Sequence, residues 1–173
     1  MISPFPLLGK APPPVIQPLK NGLADECAAL HATAFRYSWG EHEFERLISA
    51  SNAFGDAALD PRKKALLGFI LSRVAADEAE VLTVVVASAH RRRGIGRQLV
   101  ASHIARLRNV HVKTLFLEVG ETNTAARKLY GDLGFVEVGR RKNYYRTEQP
   151  AEQIAALVLR RDIDPTQRRG WDA

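Results

Sequence analysis

The stretch HRRRGIGRQLV, His90–Val100, decides how this chain is read. It packs four arginines and two glycines into eleven residues. Before it runs EVLTVVVA, Glu80 to Ala87. Valines of that density fit a pleated strand, where branched side chains pack well. After it, from about Gly94 to Arg108, Ile95, Leu99, Ile104 and Leu107 recur as the apolar stripe of a helix. A strand, a loop with a glycine pair and a helix make an anion site. Free N–H groups converge at the helix start, the dipole favours negative charge, and glycine lets a ligand approach the backbone. Two phosphate motifs are excluded. There is no G-x-x-x-x-G-K-[ST], and in G-x-G-x-x-G the third glycine is replaced by Leu99. The plain alternative is a solvated basic turn.

Outward from the loop, the pattern mixes strands and helices. Val15–Lys20, Ala53–Leu59, Ala65–Arg73, Thr114–Val119, Val136–Gly139 and Gln153–Leu159 read as further strands. Asp60-Pro61-Arg62-Lys63 reads as a turn. Helices fit a segment from Asn21 through Ala34, Glu41–Ala50, and Asn123–Leu133 stopped by Gly134. Residues 1–14 form a proline-rich tail, 15–160 one domain and 161–173 a charged tail. The two strand–helix–strand passages predict an α/β or α+β class with a mixed sheet.

Composition narrows the function. The 173 residues suffice for one cored domain. No apolar run reaches membrane-spanning length and no secretory leader is legible, so a cytoplasmic protein without membrane contact is expected. The single cysteine, Cys27, reads as core and forbids an internal disulfide. The histidines at 31, 42, 90, 103 and 111 show no metal-ligand spacing, so no metal is expected. A net charge of +6 suits an anionic partner.

Two motifs in order then carry a resemblance. Arg91, Gly94 and Gly96 give R-x-x-G-x-G, and Asn123, Ala126, Leu129, Tyr130, Gly134 and Phe135 give N-x-x-A-x-x-L-Y-x-x-x-G-F. From Val15 to Leu159 the chain resembles the GNAT superfamily of N-acetyltransferases. The resemblance implies a mixed, mostly antiparallel sheet flanked by helices on both faces, with acetyl-CoA as co-substrate. It implies that Val84, Val86, Arg91, Arg92, Arg93, Gly94, Ile95, Gly96, Arg97 and Asn123 bind the cofactor, largely through main-chain amides. Asn123 reads equally as a helix cap, and the two roles are compatible.

Acetylating an amine needs a base for the amine proton and a donor for the departing thiolate. Glu118, at the end of LFLEV, matches the family's base position, and Tyr130 the position of its thiolate proton donor. Read without the resemblance, Glu118 is a strand-end acid and Tyr130 a core tyrosine. Within the superfamily the chain most resembles the bacterial ribosomal-protein alanine N-acetyltransferases, through DEAEVLTVVV, LFLEV, LYGDLGF and RKNYY. The stretch FRYSWGEHEF departs from that group's F-P-W-S. The acceptor implied is a ribosomal-protein N-terminal peptide, held by Trp39, Glu80 and Tyr144. A GNAT acting on a small amine or a protein lysine is the second reading. A non-catalytic ribosome- or RNA-binding module is the third, and lacks an aromatic-interleaved basic sheet motif. Direct nucleic-acid binding is therefore not expected, and the assembly expected is a monomer or weak dimer.

Overall fold

A computed structural model describes residues 12–145 and 154–163, with the backbone alone described at 142–145 and 154. In chain order the elements are β1 (Val15–Pro18), α1 (Ala24–Ala32), α2 (Glu41–Ser49), β2 (Ala53–Leu59), β3 (Leu66–Ala75) and β4 (Glu78–Val86). They continue with α3 (Ile95–Asn109), β5 (Thr114–Gly120), α4 (Thr124–Asp132), β6 (Val136–Tyr145) and β7 (Ile154–Asp162). The strands form one sheet in the order β1-β2-β3-β4-β5-β7-β6. Only β4 and β5 pair in parallel; every other neighbour is antiparallel. The expected mixed, mostly antiparallel sheet is thus present.

Alternation along the strands sends side chains to two cores. Ala58, Ile70, Leu115, Leu117, Val119, Leu157 and Leu159 join Ile95, Leu99, Leu107 and Tyr130 on the α3/α4 side. Ala57, Leu59, Phe69, Leu71 and Val85 join Cys27 and Phe44 on the α1/α2 side. Helices therefore flank both faces. The β2–β3 turn forms where Asp60 stands, because its Oδ1 accepts from the main-chain N–H of Arg62 and Lys63 at 2.8 and 2.9 Å.

Some boundaries differ from the sequence reading. The first strand stops at Pro18 rather than Lys20, because Asn21–Leu23 turns as a 3-10 helix into α1. The sixth strand runs on to Tyr145, six residues past Gly139, paired to β7 despite charged residues that mask its period. The seventh runs to Asp162 rather than Leu159, and Ile163 after it packs into the α3/α4 core. Of the tails, residues 1–11 and 164–173 lie outside the described residues. No helix among the described residues is long and apolar enough to cross a membrane.

A buried polar network pins α3 to the sheet. His103 Nδ1 lies 2.7 Å from Asp56 Oδ2, and its Nε2 lies 2.8 Å from Ser72 Oγ. Arg106 closes the other side of the Asp56 carboxylate and donates to the Gly55 carbonyl at 3.0 Å. Asp56, Ser72 and His103 are fully buried, so each group depends on the others for its hydrogen bonds.

Candidate active site

The site begins where the sheet opens. β4 and β5 pair only through Glu78↔Thr114, Ala79↔Leu115 and Glu80↔Phe116. Beyond that, β4 follows β3 as far as Val86↔Gly68, while β5 follows β7 as far as Gly120↔Ala156. A bulge assists the parting. Leu71 pairs with Thr83 and Ser72 with Val81, which leaves Leu82 as an extra residue that bends β4. Among the described residues, the edges of 81–86 and 117–120 that face each other across the gap have no strand partner. An extended, amide-bearing molecule can pair with such an edge. Val84 and Val86 sit on this edge, half-buried against the α3/α4 core.

At the end of β4 the arginine loop turns into α3. Arg92 at φ 62° and Gly94 at φ 80° adopt left-handed backbone, which gathers successive N–H groups on one side. Among the described residues, no carbonyl or side chain accepts from the amides of residues 92–97; the first α3 bond runs from Gln98 N to Gly94 O at 3.0 Å. A Cβ built on Gly94 meets nothing within 4 Å, so open space fronts the helix start. A row of unpaired main-chain donors of this kind can cradle an anion. The arginines of the loop are partly engaged. Arg91 Nε donates to the Val86 carbonyl at 3.0 Å, Arg93 Nη1 lies 2.8 Å from His90 Nδ1, and Arg97 Nη2 lies 4.0 Å from Asp132. Arg91 therefore braces the loop against β4. Ile95 is core, 3% exposed, and contributes main chain only. Gly96 faces Leu129 of α4, 3.5 Å from where a Cβ would stand. Asn123 caps α4, its Oδ1 accepting from Ala126 N at 3.1 Å.

On the α1/α2 side of the gap lies a cleft of about 330 Å3, lined by Arg73, Glu78, Glu80, Phe116, Glu118 and Arg141 among others. Glu80 and Glu118 come together here, because Glu80 pairs with Phe116 and Glu118 lies two residues along the same strand face. Each carboxylate meets a guanidinium: Glu80 Oε2 lies 3.2 Å from Arg73, and Glu118 Oε1 lies 2.9 Å from Arg141 Nε. The second oxygen of Glu118, Oε2, is buried without a hydrogen-bond partner among the described residues. A buried carboxylate oxygen with no donor is costly unless a ligand supplies one.

Tyr130 lies on the other face, in the α3/α4 core, 8% exposed and edge-on to Phe135 at 5.6 Å. Burial pushes its phenol up to about 12. No described residue hydrogen-bonds its hydroxyl. Glu118 and Tyr130 therefore stand on opposite faces of the sheet.

Trp39 does not line this cleft. Its ring belongs to an aromatic stack with residues of α1 and α2, 4.8 Å from the His31 ring and 5.6 Å from Phe44, and its main-chain N–H donates to His31 Nδ1 at 3.3 Å. Tyr144 is in β6, but its side chain lies outside the described residues. Sequence reading missed Arg73 and Arg141, which enter only through pairing across strands, and Thr83, whose buried hydroxyl also lacks a partner among the described residues. A groove of about 410 Å3 between α4, β6 and β7 is larger, but its cations are engaged: Arg127 with the Glu121 carbonyl and Lys128 with Asp132.

Comparison with known proteins agrees with this fold. The profile of the acetyltransferase (GNAT) family matches residues 24–135. The [ribosomal protein bS18]-alanine N-acetyltransferase of Salmonella typhimurium is 39% identical over 94 residues, 54% of this chain and 64% of that protein; the match spans just under two thirds of that relative's length. The N-alpha-acetyltransferase RimI of Mycobacterium tuberculosis is 34% identical over 159 residues, 89% of this chain and 96% of that protein. The crystal structure of the ribosomal-protein-S18-alanine N-acetyltransferase from Escherichia coli superposes with a TM-score of 0.79 at 27% identity, covering 92% of this chain and 98% of that one.

Proposed function

The chain belongs to the acetyltransferase (GNAT) family, and on that premise we propose that it acetylates the N-terminal α-amine of a protein, the N-terminal alanine of ribosomal protein bS18. The observation that carries this reading is Glu118 Oε2, a buried carboxylate oxygen beside the parted strands with no donor among the described residues. The relatives' substrates add the identity of the acceptor. Acetyl-CoA, when bound, supplies an acyl thioester. The amides of residues 92–97 would hold its pyrophosphate, and the open edge of β4 around Val84 and Val86 would pair with its amide-bearing arm. Asn123 keeps its cap, with its side-chain N–H free for the same arm. These residues suit the group: an unsatisfied donor row, a glycine fronted by open space and an unpaired strand edge.

Glu118 Oε2 accepts the proton of the incoming amine, from the α1/α2 side. Tyr130, kept protonated by burial, donates a hydrogen bond to the leaving sulfur from the α3/α4 side. A thioester held in the gap would have Glu118 on one side of the sheet and Tyr130 on the other. An α-amine titrates near ~7.7–8.0 and lysine near ~10.4, so a terminal amine asks less of a single carboxylate. Glu80 and Tyr144 flank the acceptor, and Trp39 supports the wall behind them through its stack on His31. The enzyme works in the cytoplasm as a monomer or weak dimer, with no membrane or nucleic-acid partner.

The test is mass spectrometry of a bS18 N-terminal peptide incubated with enzyme and acetyl-CoA. One acetyl group on the terminal amine is expected, and Glu118→Gln lowers kcat by about 10²-fold. Acetylation of polyamines or lysine peptides instead would move the assignment to another branch of the family. Failure to bind acetyl-CoA at all would favour a non-catalytic module.

A further inference from the structure

We propose that Arg141 is a positioning residue for Glu118: it fixes the carboxylate through Oε1 so that Oε2 alone faces the acceptor amine. This rests on the acetyltransferase reading of the same cleft. The contact is Arg141 Nε to Glu118 Oε1 at 2.9 Å. The two side chains differ in exposure, 64% for Arg141 and 17% for Glu118. The arginine therefore reaches in from solvent to hold a carboxylate that is mostly enclosed. The division of the carboxylate is the telling feature. One oxygen has a donor, and the other is buried with none among the described residues.

A glutamate has three side-chain torsions, and a strand end does not fix them. Left free, the carboxylate samples rotamers in which neither oxygen meets the amine. A guanidinium restricts it, because its N–H groups lie in one plane and match the plane of a carboxylate. The strands put Arg141 in reach: it pairs with Ala156 in β7, two residues from Val158, the partner of Glu118. The acidic neighbour Glu80 has its own cation in Arg73, so it does not compete for Arg141. An ion pair this exposed does little for stability, and its effect is expected in the geometry of the base.

The test compares Arg141→Ala and Arg141→Lys with the parent enzyme in steady-state acetylation of the peptide. It adds 13C relaxation of the Glu118 side chain in the full-length protein without substrate. Arg141→Ala is expected to lower kcat by between about 10 and 10²-fold with KM for acetyl-CoA unchanged, the scale of a misplaced catalytic group. Arg141→Lys recovers part of the loss, since lysine keeps the charge without the planar fork, and added guanidinium ion restores activity to the alanine variant. The relaxation data show Glu118 ordered in the parent and mobile in Arg141→Ala. An unchanged kcat, or a loss confined to KM for the peptide, overturns the proposal, as does a Glu118 side chain equally ordered in both. If the parent protein acetylates nothing, the functional reading fails, and relaxation still decides whether Arg141 fixes Glu118.

Discussion

Replacing Tyr130 by phenylalanine removes one oxygen and separates stability from chemistry. The ring stays, with its edge-on contact to Phe135. No described residue hydrogen-bonds the hydroxyl, so the change at neutral pH is under about 1 kcal/mol. The alkaline range differs. Burial raises the phenol from 10.0 to about 12, so the unfolded chain ionises before the folded one. A raised pKa contributes stability that is whole below the unfolded value and is lost as pH climbs to the folded one. One pKa unit is worth about 1.4 kcal/mol. The parent should therefore lose stability relative to the variant as pH climbs from about 10 to about 12, on the order of 1–3 kcal/mol in all. Urea unfolding of both proteins across that range isolates the difference, since all other groups titrate alike. Catalysis is the second readout. Burial keeps the phenol protonated beside a thiol whose ordinary titration lies near ~8.5. The phenol's part is a hydrogen bond to the sulfur as charge develops, and removing it lowers kcat by about 10²-fold. The defect should shrink with a thioester whose leaving thiol is more acidic. Superimposed alkaline curves would refute the desolvated hydroxyl. Normal turnover in the variant would refute its role as a donor.

Gly94→Asp places a side chain and a charge at a φ of 80°, in front of the loop amides. The thermal shift induced by acetyl-CoA should vanish, while the ligand-free protein loses about 1 kcal/mol from left-handed strain. Asp56→Ala leaves His103 and Arg106 without their buried anion, and denaturant unfolding should show a loss of about 3–5 kcal/mol. His31 has its pKa lowered by burial, so the fold favours the neutral ring. That contribution is present above the ordinary histidine range and is lost as pH falls through it. Fluorescence of Trp39, stacked on His31, should change in the same acid range and stay flat in His31→Asn.

The glycine loop ahead of α3 was legible because its signals are local. The glycine pair, the flanking valines and the apolar stripe all act within a few residues, and α3 begins at Ile95, beside the expected Gly94. Asn123 was legible as a cap for the same reason. The stack of His31 on Phe35 and Trp39 was not, because those residues read as loop until α1 and α2 fold against each other. Nor was Arg141. RKNYY has no strand period, and the partner of Arg141, Ala156, is fifteen residues further along the chain. His103 was one of five scattered histidines; on α3 it falls among Leu99, Val100 and Leu107, and only the fold brings Asp56 and Ser72 to its two nitrogens.

The faces of β4 show why a strand can be read correctly and its side chains still be misassigned. Strict alternation would put Glu80, Leu82, Val84 and Val86 on one face. The bulge at Leu82 breaks the period. Val84 and Val86 turn to the α3/α4 core, while Glu80, Leu82 and Val85 stay toward α1 and α2. One strand therefore offers a carboxylate to the cleft and two valines to the α3/α4 core. The residue opposite the start of the bulge is Ser72, whose hydroxyl is bonded to His103 of α3. The helix that carries the anion loop is thus tied, through Asp56, His103 and Ser72, to the point where β4 changes face. A change in that network should alter the loop and the cleft together, although neither Asp56 nor His103 reaches solvent.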